Sequence, residues 1–136
     1  MKLKLTIQKK INKGLTIEQL QNVLYFSMLK LLELATRNAP VDKGLLRNSM
    51  FMKPQTRGYS FYEVGDGVNY GVDVEYGTSP HVIKPLNKKA LKFKSGGKTI
   101  FAKQINHPGT SAQPFMRPAL DQVKNIWLAR YFEREF

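Results

Sequence analysis

Residues 16–40 read TIEQLQNVLYFSMLKLLELATRNAP, and this stretch decides the architecture. Thr16 and Gln19 make a capping box: the hydroxyl accepts from the amide three residues on while the glutamine reaches back. A long helix therefore starts here. Ile17, Leu20, Val23, Leu24, Met28, Leu31 and Ala35 keep helical spacing, and Pro40 stops the pattern just after Asn38. Tyr25, Phe26, Leu29 and Leu32 lie off that stripe and are apolar too. A helix apolar on most sides has to be covered on more than one of them. These four residues are candidates for a subunit interface, and burial inside the chain's own domain is an equal alternative.

Downstream of the helix, past Asp42 and Gly44, the period changes. Residues 51–53, 59–64 and 68–76 are rich in aromatic and β-branched types and are separated by Arg57-Gly58 and Gly65-Asp66-Gly67, which predicts an antiparallel meander. Residues 90–94 and 99–105 alternate apolar with lysine around Ser95-Gly96-Gly97, a hairpin signal. Residues 106–114 have loop chemistry. Pro118 suits a first helical position, and Leu120, Val123, Ile126, Trp127 and Tyr131 keep the spacing of a closing amphipathic helix. The expected fold class is α+β, an antiparallel β-sheet packed against a long N-terminal helix and a C-terminal helix. At 136 residues the chain can bury about two thirds of its surface, enough for one domain spanning 1–136. That domain carries a basic N-terminal segment, 1–15, and a lysine-rich loop or hairpin, 81–110.

The formal charge is +12, from 22 Lys and Arg against 10 Asp and Glu. It is unevenly placed. Residues 1–15 hold five Lys and no acid, residues 16–80 are nearly balanced, and residues 81–110 hold seven Lys and no acid. Charge focused in two patches attracts a polyanion more strongly than the same charge scattered. With no cysteine, disulfides, thiolate zinc sites and cysteine nucleophiles are excluded, which suits a reducing cytoplasm. The N-terminus lacks the apolar run of a signal peptide. The longest apolar stretch, 23–35, is broken by Ser27, Lys30 and Glu33 and is too short to span a bilayer, so neither export nor membrane insertion is expected.

Candidates for catalysis are thin. Glu63, Asp66, Asp73 and Glu75 cluster in sequence, but Asp73 and Glu75, two apart on a predicted strand, share one face and read as its solvated side. His81 and His107 each neighbour proline or a turn and read as loop residues. Gly65-x-Gly67 and Ser95-Gly96-Gly97 lack phosphate-loop spacing and read as turns. No catalytic residue, metal ligand, cofactor or small-molecule substrate is expected. Nucleic-acid binding has more support: Lys84, Lys88, Lys89, Lys92, Lys94, Lys98 and Lys103 are candidates to face DNA, and lysines alternate with Leu91, Phe93, Ile100 and Phe101. Period two also allows a core face of aromatics backed by a wet lysine face.

The segment Ala39-Pro40-Val41-Asp42-Lys43-Gly44-Leu45-Leu46-Arg47-Asn48-Ser49 resembles the tail-completion, or head-tail joining, family of long-tailed bacteriophages, of the Hong Kong ninety-seven type. Three more stretches are similar to that family in the same order. They are Tyr70-Gly71-Val72-Asp73-Val74-Glu75-Tyr76-Gly77-Thr78; His81-Val82-Ile83-Lys84-Pro85 with Lys89-Ala90-Leu91-Lys92-Phe93; and His107-Pro108-Gly109-Thr110 with Gln113-Pro114-Phe115-Met116-Arg117-Pro118-Ala119-Leu120. The lysine-rich residues 1–15 match nothing in the pattern. Physically, Asp42 is placed to cap a short helical turn containing Leu45 and Leu46, Gly77-Thr78 to end a strand, and Pro114 and Pro118 to fix how Phe115 enters the core. Such motifs define a fold more often than a site.

The resemblance implies a structural virion protein without catalysis, found at the head-proximal end of the tail and, during assembly, in the host cytoplasm. It would form a homo-oligomeric ring, for which a hexamer is one option, complete the tail tube, join the head connector and let viral DNA pass. The alternative is a small basic nucleic-acid-binding protein.

Overall fold

The structure is a computed structural model and describes residues 1–4, 14–54 and 62–135. Most of the basic segment 1–15 and the first part of the expected strand 59–64 lie outside the described residues. The chain forms α1 (Ile17–Asn38), α2 (Leu45–Asn48), α3 (Gly71–Tyr76), α4 (Met116–Gln122) and α5 (Leu128–Glu135). Its strands are β1 (Lys2–Lys4), β2 (Phe51–Pro54), β3 (Tyr62–Gly65), β4 (His81–Ile83), β5 (Leu91–Ser95), β6 (Lys98–Ala102) and β7 (Ile105–His107). This is the expected α+β class, with the long helix first, a helix last and small antiparallel sheets between them.

The capping box is realised in both directions: the Gln19 amide donates to Thr16 Oγ1 at 3.1 Å and the Thr16 amide to Gln19 Oε1 at 2.9 Å. At the other end the Ala39 amide still reaches the Ala35 carbonyl, and Pro40 allows no further turn. α1 buries Val23, Leu24, Ser27, Met28, Leu31, Leu34 and Ala35. The stripe begins later than its spacing suggests, since Ile17 is exposed. Ser27 sits in this apolar face without penalty because its hydroxyl donates to the Val23 carbonyl.

The core lies between α1, the β1-β3-β2 sheet and the closing helix. Val64 is fully buried on the sheet side, and Phe115, Met116, Ala119 and Val123 on the helix side. Each large apolar side chain removed from water here contributes on the order of 1.5–3 kcal/mol. The sheet corrects the expected meander. β2 and β3 pair as anticipated (Phe51 with Gly65, Lys53 with Glu63), but the third strand is β1, which pairs Lys2 with Gly65 and Lys4 with Glu63. The segment expected as that third strand, 68–76, is instead a turn at 68–70 followed by α3. Its alternation of Val68, Tyr70, Val72, Val74 and Tyr76 imitates a strand, and six helical residues are too few to show a 3.6 period.

Two further antiparallel pairs leave this body. β4 pairs with β7 (His81 with His107), and the Thr78–Thr110 bridge continues the same register three positions on. β5 pairs with β6 from Leu91–Ala102 to Ser95–Lys98, and these two strands make extensive contact only with each other. The closing helix carries a π turn, Val123–Trp127, in which the Leu128 amide reaches back to the Val123 carbonyl. The wider turn rotates the face beyond Val123. Ile126, expected on the buried stripe, is consequently exposed, and α5 buries no residue completely.

Candidate functional site

Two of the stretches singled out in the sequence, 70–78 and 107–120, are joined directly by one side chain. Glu75, on α3, is completely buried, and its carboxylate accepts from the backbone amides of Phe115 (2.7 Å), Met116 (2.9 Å) and Arg117 (3.0 Å). Arg117 Nε donates to the same carboxylate at 3.0 Å, and its guanidinium lies 4.6 Å from the centre of the Tyr76 ring. A helix begins with amides that have no partner inside it. In α4 the capping amide and the first two helical amides all go to Glu75. The third helical residue is Pro118, which has no amide to satisfy. This corrects the expected first-position proline and shows why the third position also suits it. Burial alone would raise the Glu75 pKa, but hydrogen bonds from the Met116, Phe115 and Arg117 amides, with the Arg117 guanidinium, outweigh it and hold the carboxyl below the usual glutamate range.

The four acids do not form one solvated face. On a helix, Asp73 and Glu75 point about 200° apart, so Asp73 is exposed while Glu75 is buried. Glu63 is buried on β3 with Lys2 Nζ 3.2 Å and Lys53 Nζ 3.9 Å from Oε1. Asp66, also buried, accepts from the Met1 nitrogen at 3.0 Å and from the Val68 amide at 3.3 Å. Each buried carboxylate is matched to a different cation.

Just beyond Glu75, the two Gly-Thr pairs of the sequence close on each other. Thr78 and Thr110 exchange backbone hydrogen bonds of 3.0 and 3.1 Å, and their hydroxyls lie 3.0 Å apart. Gly77 and Gly109 have φ of 73° and 85°, the left-handed region that L side chains resist. A Cβ on Gly77 would strike the Thr110 carbonyl, and one on Gly109 the Thr78 carbonyl. Gly77 thus ends a helix where the sequence suggested a strand end. The Gln113 amide adds a bond to the Val74 carbonyl at 2.8 Å. His81 and His107 are strand residues, not loop residues, and their rings stack at 5.0 Å. Nδ1 of His107 accepts from the Gly109 amide, and Nδ1 of His81 lies 2.8 Å from the Ser79 carbonyl.

The first stretch ties down the end of α1, and Asn38, just before it, reaches the joint. Arg47 donates to the Arg37 and Ala39 carbonyls at the end of α1, Ser49 Oγ donates to the Leu46 carbonyl and accepts from the Gly67 amide, and Asn38 reaches the Phe115 carbonyl. The expected Asp42 cap is absent: Gly44 occupies the capping position of α2 with no side-chain hydrogen bond, and Asp42 is exposed. Pro40, Asp42, Gly44, Leu46 and Tyr70 instead line an open groove of about 510 Å³. Phe115 enters the core fully buried, whereas Pro85 and Pro118 are half-buried and Pro108 and Pro114 exposed.

Two surfaces face outward from this joint. One is aromatic: Tyr62, Tyr25, Phe26, Tyr131 and Trp127 follow one another in ring contacts of 4.9–6.3 Å across β3, α1 and the closing helix. Tyr25 and Phe26 are 39% and 44% exposed, and Ile126 beside Trp127 is 49% exposed. Leu29 is half-buried, and Leu32 packs against the domain's own core. The other surface is basic: Lys84, Lys88, Lys89, Lys92, Lys94, Lys98 and Lys103 are all exposed. Arg117 and the His pair had no local sequence signal, because their partners are 42 and 26 residues away.

Among the described residues, no group of three or more His, Asp and Glu converges as a metal site, and no helix is long and apolar enough to cross a membrane. No protein-family model, curated protein or solved structure matches the chain.

Proposed function

We propose that this chain is a structural subunit of a bacteriophage neck. It assembles as a homo-oligomeric ring at the head-proximal end of the tail, completes the tail tube, joins it to the head connector and lets viral DNA pass. One observation carries the reading: Glu75 ties the second family-like stretch to the fourth, the first packs beside them and residues 81–83 of the third pair with 105–107, while Tyr25 and Phe26 and the lysines of the hairpin stay exposed outside this joint. Side chains used up in internal hydrogen bonds leave function to the surfaces. An apolar patch of this kind is what a contact with a neighbouring subunit buries.

Inactivating the gene in its phage should give heads and tails that do not join, seen by electron microscopy. Normal infectious particles from that mutant would remove the proposal. A second reading, a small basic nucleic-acid-binding protein acting alone, is favoured by the exposure of all seven lysines in 81–110. It requires the isolated chain to hold duplex DNA at physiological salt, and an absence of binding there removes it.

A further inference from the structure

The β5–β6 hairpin has two unlike faces. Antiparallel partners share a face and successive residues alternate, so the pairings Leu91–Ala102, Phe93–Ile100 and Ser95–Lys98 define one side, and Lys92–Phe101 and Lys94–Thr99 the other. The first side is mostly apolar, and Leu91, Phe93 and Ala102 on it are half-buried. Every residue of the second side is exposed, with Phe101, at 66%, the most open aromatic among the described residues. Phe101 cannot join the apolar side, because its neighbour Ile100 already occupies it. Its ring instead lies 5.9 Å from Lys92 Nζ and gives that long side chain a surface to lie on.

We infer that the Lys92–Lys94–Thr99–Phe101 side of the hairpin is a contact surface for the phosphate backbone of duplex DNA. The inference deepens the neck reading, in which DNA is the passing partner. Lys92 and Lys94 stand two residues apart on one side, about 6.7 Å along the strand, with no acid anywhere in residues 81–110 to compete for them. A ribbon of two strands is narrow enough to enter the DNA major groove. Its five-residue strands run about 17 Å, a length over which duplex DNA carries roughly ten charges. Lysines on flexible stems, with no arginine or amide-bearing side chain on this face to read base edges, suit sequence-independent contact with a moving duplex.

The test is the affinity of the full chain for a labelled DNA duplex over a range of salt, with K92E/K94E compared against K43E/K124E, a charge-matched pair off the hairpin. The expected result for K92E/K94E is at least a tenfold loss near ~100 mM salt and a slope of log affinity against log salt smaller by about 1.8, while K43E/K124E changes affinity no more than about threefold. The milder K92Q/K94Q pair keeps the test valid if charge reversal disturbs folding. Equal loss from both pairs, or no loss from the hairpin pair, overturns the inference. Tighter binding of a single strand than of duplex, with the preference abolished by F101A, also overturns it, since that is base stacking. Failure of the neck reading is seen separately, in joined particles formed without the gene, and leaves the hairpin measurements as they are.

Discussion

The Glu75 joint and the β5–β6 hairpin are both built from polar side chains beside aromatics, yet they are organised in opposite ways. In the joint, a buried carboxylate takes three amides and a guanidinium, two glycines let backbones meet, and Phe115 fills the core. In the hairpin, every lysine points to solvent and the strands lean mainly on each other. A polar group removed from water has to be matched, and the match fixes the chain around it. One left in water stays free to meet a partner. The joint therefore carries stability, while the hairpin keeps its lysines free for the contact proposed above.

The sharpest way to break this contrast is E75A. Three amides at the start of α4 lose their acceptor, at about 1–3 kcal/mol for each one left unsatisfied, and a total loss of about 3–5 kcal/mol is expected in urea unfolding. Acid should act in the same direction. Because Glu75 sits below the usual glutamate range, its contribution is complete above that range and lost as pH falls through the lower folded value. Wild type should lose more stability than E75Q on going from neutral to acid pH, and parallel curves would show that Glu75 does not hold the joint. G109A combines a left-handed φ with a clash against Thr78, and about 2–3 kcal/mol is expected from the same measurement.

Two smaller effects sharpen the contrast from the hairpin side. Hydrogen exchange at the Phe115, Met116 and Arg117 amides should approach the rate of global unfolding, while β5 and β6 amides exchange far faster, because an isolated two-stranded pair is marginal in water. Protection as strong in β5 as at Met116 would mean that the hairpin is part of the folded body. K92E/K94E should shift the unfolding free energy by no more than about 0.5 kcal/mol. A larger loss would give those lysines a structural role.

How much was legible depends on how local the deciding interaction is. The capping box spans four residues, so Thr16 and Gln19 announce α1 without help from the rest of the chain. The β5–β6 hairpin is legible for the same reason, since its turn and alternation are contiguous. Segment 68–76 alternates like a strand, but that alternation decides nothing. As a helix it sends Glu75 inward and Asp73 outward, and Glu75 then finds partners 40 to 42 residues away. The histidines likewise became a stacked pair only because β4 and β7 bring them together. Among the motif residues, Glu75, Gly77, Thr78, Gly109 and Phe115 shape the joint between α3 and α4. Asp42 has the chemistry of a cap, but Gly44 occupies the capping position of α2.

The sequence by itself determined the long capped helix, the lysine hairpin, the two basic patches and the α+β class, all of which follow from short-range backbone chemistry and composition. Only the tertiary structure decided that β1 completes the sheet, that three acids are buried against separate cations, and that Phe101 stands among the lysines. Burial and strand register are properties of segments far apart in the chain, and the free energy that selects them appears only when those segments meet.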